Sequence, residues 1–428
     1  MAQMNQKNPK SKTILIGMTG RIDSTVAAYL LKKQGHNVIG IGILFNKTDE
    51  VPSLDPKTGE VIKPYGVQFI NDLGRVKGVC DELDIPFYGV HAEDRYQAGV
   101  EEFLVAARLG GTTYSPLVFS TRTILEILVE KMVPLKADAV ATGNYAKISI
   151  NQSTGSIGLG QSNDLANDET FQMARIKPSD ARHLVLPLSE MRRKEVLKIY
   201  SSLNLKNSVS DKEIKGDKVN EILLMEDPRI IKVVEDLSSE DLRRTGSLIN
   251  YVEDSILGDH EGIHKYFIGQ NKVKGKSLAS VDPKMQVVKI DPQLGDVYLA
   301  SPTDLKFTFC ELKDFNAGKG KNSSIPVEAH VKFRPDTLKV PCDVYLGNNN
   351  SAILEFKEAQ KGQIVPGQFV VIYDREGEGA KVIGAGVVNR SGYISDSGER
   401  RELPLTNSEK YDVDEDSVKS KKASPFRF

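Results

Sequence analysis

Apolar residues in this chain follow one rhythm in its first half and another in its last third. In the first half, short unbroken apolar runs alternate with stretches that repeat apolar residues every three or four positions. Thr13 to Gly17 predicts a buried strand. Ser24 to Lys33 carries Val26, Ala27, Leu30 and Leu31 on one stripe and predicts a helix that Gly35 ends. Val38 to Phe45 predicts a second buried strand, and the Pro-, Gly- and charge-rich Lys47 to Gly66 a surface loop. Further helices are expected over Val67 to Leu83, 94–109 and 120–133, with strands at Pro86 to Val90 and Ala139 to Gly143. Such alternation builds a parallel sheet wrapped by helices, with ligands at the carboxyl ends of its strands.

The rhythm changes after about residue 220. Asn220 to Arg244 is charged and largely helical in pattern, with Pro228 as an interruption, and short segments rich in Gly and His follow to Gln270. From about Ser280 the pattern is one of short alternating strands, at Met285–Ile290, Asp296–Ala300, Glu328–Phe333, Cys342–Leu346, Ala352–Phe356 and Phe369–Tyr373. Six or more such strands between Gly, Pro and Asn turns predict a small antiparallel barrel. The resulting division is a disordered arm at 1–12, an α/β domain at 13–220, a small central domain at 221–280, a barrel at 281–395 and a disordered tail at 396–428.

The chemistry concentrates where the first strand meets the first helix. Gly17-Met18-Thr19-Gly20-Arg21-Ile22-Asp23-Ser24 is a polar turn that would present backbone N–H groups and a helix N-terminus to an anion. Gly20 suits close approach by phosphate oxygens. Arg21 occupies a position where glycine is wanted, although its guanidinium could itself pair with phosphate. Asp23 and Ser24 supply an acidic group and an N-cap hydroxyl.

Besides the loop, Ala141-Thr142-Gly143-Asn144-Tyr145-Ala146 is similar to the motif A-T-G-H-Y, and Leu186-Pro187-Leu188-Ser189-Glu190-Met191 to F-P-L-G-E-M. Gly258 to Gln270 is close to G-x-H-x-G-I-H-x-Y-T-I-G-Q, and Lys332-Phe333-Arg334, Cys342 and Pro366-Gly367-Gln368 form a further ordered set. Together these runs resemble one family, the tRNA 2-thiouridylases of the pyrophosphate-loop ATPase class, the last set resembling that family's barrel. The resemblance implies an α/β fold class: a parallel-sheet, Rossmann-like nucleotide α-hydrolase domain with the pyrophosphate loop, a small central domain and a C-terminal antiparallel β-barrel. It also implies ATP as cofactor and tRNA as partner, with 2-thiolation of the wobble uridine as the reaction. The implied nucleotide contacts are Gly17, Met18, Thr19, Gly20, Arg21, Asp23, Ser24, Leu44 and Gly143.

The chain departs from that chemistry at both sulfur-handling positions. Ser120 stands where the resemblance places the persulfide-carrying cysteine, with Leu117 replacing an Asp or Cys. Lys215 stands where it places the second cysteine. A hydroxyl carries no persulfide and a lysine forms no disulfide. The three cysteines an iron–sulfur variant needs are missing from these sites, so no cluster is expected. Asn144 replaces a histidine. Asp168 matches an aspartate of K-D-Q-[ST]-Y, whose lysine is lost here. The expectation is a tRNA- or protein-binding homologue that has lost sulfur transfer. The alternative is an active ATP-dependent tRNA-modifying enzyme with another sulfur route.

Composition narrows the setting. The chain has 428 residues, 39% hydrophobic and 27% charged, with a net charge of −1, which argues against non-specific coating of nucleic acid but permits a local basic face. No apolar run is long enough to span a bilayer, and the polar Met1 to Lys12 lacks a signal-peptide core, so a cytoplasmic location is expected. Cys80, Cys310 and Cys342 lie far apart and read as buried thiols. His260 and His264 read as part of a structural turn rather than a metal pair.

Overall fold

Strand β1 (Thr13–Gly17) is the hinge of a five-stranded sheet, with β2 (Asn37–Leu44) on one side and β4 (Ala139–Ala141) on the other. The edge strands are β3 (Phe87–His91) beside β2 and β7 (Leu184–Val185) beside β4, and every pairing is parallel. Helices α1 (Ile22–Lys33), α2 (Leu73–Glu82), α3 (Pro116–Met132) and α4 (Arg193–Ser202) cover the sheet. The computed structural model describes residues 11–44, 73–92, 94–95, 116–206, 244–268, 270, 284–301, 303–317, 323–335, 337–362, 364 and 366–403. Of the helix expected over 94–109 only 94–95 are among these residues, and of the charged run Asn220 to Arg244 only Arg244 is; the rest of both lies outside them.

The order β3-β2-β1-β4-β7 reverses direction at β1, and such a switch point opens a crevice between the loops that leave the two neighbouring strands. Here those loops are 18–21 after β1 and 142–145 after β4. The sheet forms because β1, β2 and β4 are apolar on both faces. Ile14 and Ile16 pack with Val26, Leu31 and Val79 under α1 and α2, while Leu15, Ile41 and Val140 pack with Leu128 of α3 on the opposite side.

Six strands close into an antiparallel barrel: β12 (Lys306–Ala317), β13 (Ser323–Lys332), β14 (Val340–Leu346), β15 (Ala352–Lys361), β16 (Phe369–Tyr373) and β17 (Lys381–Ile394). Their order is β12-β15-β14-β13-β16-β17, and pairing of β12 with β17 completes the ring. The hairpin β5 (Ala146–Ile150) and β6 (Ile157–Gln161) emerges from the α/β domain and extends the barrel sheet through β6 and β17. Phe369, Val371 and Tyr373 of the barrel share one apolar core with Leu15, Ile41 and Val140 of the parallel sheet.

Two boundaries differ from expectation. Strands β10 (Gln286–Asp291) and β11 (Asp296–Ala300), expected in the barrel, instead form a four-stranded sheet with β8 (Gly246–Asn250) and β9 (Ile256–His260). β11 pairs in parallel with β8, and Tyr251 N–H donates to the Leu299 carbonyl. The central unit therefore takes in residues beyond 280. At the other end, β18 (Arg400–Glu402) pairs with β17 and Leu403 N–H donates to the Ser391 carbonyl, so order continues past residue 395. Ser11 and Lys12, assigned to the arm, are bonded to Gly35 and Asn37.

Candidate functional site

The loop between β1 and α1 is knitted together by its own side chains. Ser24 Oγ accepts the Thr19 N–H at 3.1 Å and lies 2.9 Å from Thr19 Oγ1, while Thr19 Oγ1 accepts the Arg21 N–H at 3.3 Å. Ser24 Oγ also donates to the Arg21 carbonyl at 3.3 Å. Gly20 takes φ +68°, the left-handed conformation that glycine adopts without strain. Arg21 is the N-cap residue, with φ −102° and ψ 177°, extended backbone open to any residue, and its side chain makes no capping bond. This corrects the expectation that Ser24 caps α1: Ser24 is the third residue of the helix and its hydroxyl serves the loop instead.

Asp23 has both carboxylate oxygens engaged. Tyr145 donates its hydroxyl to Oδ1 at 2.7 Å, and Arg193, the first residue of α4, donates Nη1 to Oδ2 at 2.6 Å. Burial works against the Arg193 charge, but the adjacent Asp23 carboxylate outweighs it and holds the guanidinium protonated. Burial and the Asp23 charge together push the Tyr145 phenol above its ordinary range.

Glu169 grips the same tyrosine from the other end. Its Oε2 accepts the Tyr145 N–H at 2.8 Å and Asn144 Nδ2–H at 3.1 Å, and Glu169 N–H donates back to the Tyr145 carbonyl at 2.9 Å. Desolvation pushes the Glu169 carboxyl up to about 7, opposed by the Tyr145 N–H bond and reinforced by the Asp23 charge. Asp168 beside it accepts from Gln161 Nε2 at 3.0 Å, the Thr170 hydroxyl at 2.6 Å and Ser162 N–H at 3.3 Å.

The expected nucleotide contacts separate into those on the crevice and those packed behind it. Gly143 lies against the start of α1, where an added Cβ would sit 2.7 Å from the Asp23 carbonyl carbon and 2.8 Å from Ser24 N. Thr19, Gly20, Arg21, Asp23, Ser24 and Gly143 thus share one locus, with Gly17 at the end of β1. Met18 departs: its side chain is buried in the core with Val76 and Cys80. Leu44 is buried at the carboxyl end of β2, where its carbonyl accepts the Ala92 N–H. Ser120 lies in the first turns of α3. Lys215 lies outside the described residues.

Sequence reasoning missed the roles of Tyr145, Glu169 and Arg193, although all three sit in or beside motifs already quoted. The cysteines are free and buried, as read, and burial pushes the Cys80 and Cys342 thiols to about 12. His260 is part of a turn: Nδ1 accepts the Gly262 N–H at 3.1 Å, and Nε2 lies 2.7 Å from the Gly295 carbonyl. Among the described residues no cluster of His, Cys, Asp and Glu is arranged to hold a metal ion, and no helix is long and apolar enough to cross a membrane.

A parallel sheet with a switch-point loop, joined to a closed six-stranded barrel, defines the class: an α/β nucleotide-binding-type domain carrying a β-barrel. Residues 12–216 match the tRNA methyl transferase HUP domain, and residues 308–388 the aminomethyltransferase beta-barrel domain. The chain is 28% identical over 382 residues to a tRNA-specific 2-thiouridylase MnmA of Clostridioides difficile, covering 89% of this chain and 99% of the relative. It is 29% identical over 386 residues to that of Geotalea uraniireducens, covering 90% and 97%, and 27% identical over 379 residues to that of a Synechococcus species, covering 88% and 97%. The chain is a homologue of the MnmA-family tRNA 2-thiouridylases, over both its α/β domain and its barrel.

Proposed function

We propose that this chain is a tRNA-binding, nucleotide-responsive homologue of the 2-thiouridylases that does not itself transfer sulfur. The observation that carries this reading is the pair Ser120 and Lys215 at the positions where the resembling family keeps its two cysteines. Neither residue type can carry a persulfide or close a disulfide, and the chain's three cysteines are buried elsewhere in cores. A buried thiol held near 12 is protonated at neutral pH and supplies no thiolate.

The nucleotide clause rests on the loop. Thr19, Gly20, Asp23 and Ser24 keep their places at the switch point, and Gly143 lets the β4 loop close onto α1. The reading takes tRNA as the partner, in the cytoplasm, with a protein partner as the alternative occupant of the same binding role.

A second reading, an active ATP-dependent tRNA-modifying enzyme fed by an external sulfur source, is favoured by those same surviving loop residues. One experiment separates the two. The chain is expressed in a strain lacking its own thiolase, and 2-thiouridine is measured by mass spectrometry of purified tRNA. No restoration is expected. Restoration that survives Ser120→Ala would favour the external sulfur route, and restoration lost in that variant would make Ser120 a reacting group.

A further inference from the structure

Three cations in a row mark the start of helix α4, Arg192 as its N-cap and Arg193 and Lys194 as its first two residues. A helix N-terminus carries partial positive charge, so cations there oppose the macrodipole. Sequences break such local rules mainly at functional positions. Arg192 and Lys194 face a polar cavity of about 420 Å³ together with Asn163, Glu190, Glu195 and Glu378. Arg193 reaches instead to the switch point, where it meets Asp23 at 2.6 Å across 170 residues of sequence. Its backbone N–H donates to Asp164 Oδ2 at 2.7 Å, which fixes the start of α4 and aims the side chain.

Asp23 presents a problem for any anion at this loop. A polyphosphate settling at the start of α1 would face a carboxylate in the first turn, and like charges repel strongly at a half-buried position. A divalent cation on Asp23 would remove that repulsion. Each Asp23 oxygen already accepts one hydrogen bond, and the Arg193 guanidinium at 2.6 Å from Oδ2 sits where a counter-cation would, so a divalent ion on this carboxylate would have to displace that charge and the residues present do not fit one.

We infer that Arg193 is the built-in counter-cation of this loop, so that a nucleoside triphosphate binds without a divalent metal ion. The inference rests on the nucleotide reading above. Arg193 neutralises Asp23, and its remaining guanidinium N–H groups are donors for phosphate oxygens in a geometry that suits bidentate pairing. Arg193 is a binding and positioning residue, and no chemical step is assigned to it.

The test uses the full chain and calorimetric titration with ATP, and separately with inorganic pyrophosphate, in EDTA and in excess Mg²⁺. Wild-type affinity for ATP is expected to agree between the two buffers within about threefold. Arg193→Gln should lose about tenfold or more in EDTA and recover in Mg²⁺, while Arg193→Lys, which keeps the charge but not the bidentate fork, should lose less than Arg193→Gln in EDTA. Recovery by Mg²⁺ is a readout that a merely structural role would not give. Thermal melting shows whether Arg193→Gln folds; where it does not, the wild-type comparison decides. Wild-type binding that needs Mg²⁺ by more than about tenfold, or an Arg193→Gln variant unchanged in EDTA, overturns the inference while leaving nucleotide binding in place. Absence of ATP binding in both buffers overturns the nucleotide reading itself. Binding of pyrophosphate alone assigns the site to a free polyphosphate and overturns the nucleoside part.

Discussion

The Thr170 hydroxyl lies 2.9 Å from the Tyr373 hydroxyl, joining the α/β domain to the barrel across 203 residues of sequence. Thr170 spends its one hydroxyl proton on Asp168, so Tyr373 is the donor between them. Lys339 of the barrel closes the same junction: Nζ donates to Gln161 Oε1 at 2.7 Å and sits 4.6 Å from the centre of the Tyr373 ring. Phe171 meets Phe369 edge-on, with ring centres 5.3 Å apart, in the shared apolar core. The barrel is thus seated on the domain that carries the loop by polar and apolar contacts together.

Removing the phenol oxygen alone should cost little, because Thr170 keeps Asp168. Tyr373→Phe is expected to lower stability by about 1 kcal/mol, the usual net worth of one such hydrogen bond. Tyr373→Ala also empties a fully buried ring site and should cost about 3–5 kcal/mol. Urea unfolding followed by far-UV circular dichroism distinguishes the two. Equal losses would show that the hydrogen bond, and not the ring, holds the junction.

Glu169 gives the site a pH dependence with a definite sign. Its carboxyl titrates at about 7 in the folded chain against an ordinary value of 4.5. Between those values the unfolded chain has released a proton that the folded chain still holds, so this group's contribution to stability falls as pH rises from 4.5 to about 7. The full effect is about 3 kcal/mol. Glu169→Gln removes the titrating group while keeping an acceptor for the Tyr145 N–H. Unfolding midpoints at a series of pH values should show a flatter profile for Glu169→Gln than for wild type. Parallel profiles would place the proton elsewhere.

Most of the parallel sheet was legible because each of its units is local. The apolar run Ile14 to Ile16, the stripe Val26, Ala27, Leu30 and Leu31, and Gly35 with its φ of +88° lie within one stretch of chain. The hairpin Ala146 to Gln161 escaped notice for the opposite reason. Its alternation marks strands, but nothing local says that Leu159 will pair with Val382 of the barrel. The same blindness put β10 and β11 in the barrel. At the site, the loop glycine and acid stood out in sequence, whereas the Arg193 and Tyr145 contacts with Asp23 span 170 and 122 residues. Glycine at position 20 announces its backbone; an arginine does not announce its partner.

Close packing at Gly143 makes a strong prediction about the crevice. A methyl there would press into the backbone of Asp23 and Ser24, neither of which is a flexible side-chain end. Gly143→Ala should therefore shift α1 or the β4 loop, at a cost of about 1–3 kcal/mol, and abolish nucleotide binding. Gly155→Ala is the control, since an added Cβ meets nothing within 4 Å there and only the strain of its φ of +66° is felt. Calorimetric binding together with melting temperature reads both effects. Normal binding by Gly143→Ala would show that the two loops need not touch.

Arg21 is where backbone and side-chain arguments part. Its extended backbone strains no residue type, and the positive φ that the turn requires is supplied one position earlier by Gly20. Whatever Arg21 does to an anion, it does through its side chain. Arg21→Ala and Arg21→Gly should therefore shift ATP affinity in the same direction and to within about threefold of each other. Arg21→Gly should be the more stable of the two, because glycine is preferred to alanine at an N-cap. A large advantage for Arg21→Gly alone would mean that the bound loop takes a backbone path different from this one. Titration of both variants with ATP, beside wild type, decides it. A common gain makes the arginine an obstruction, and a common loss makes its guanidinium a ligand.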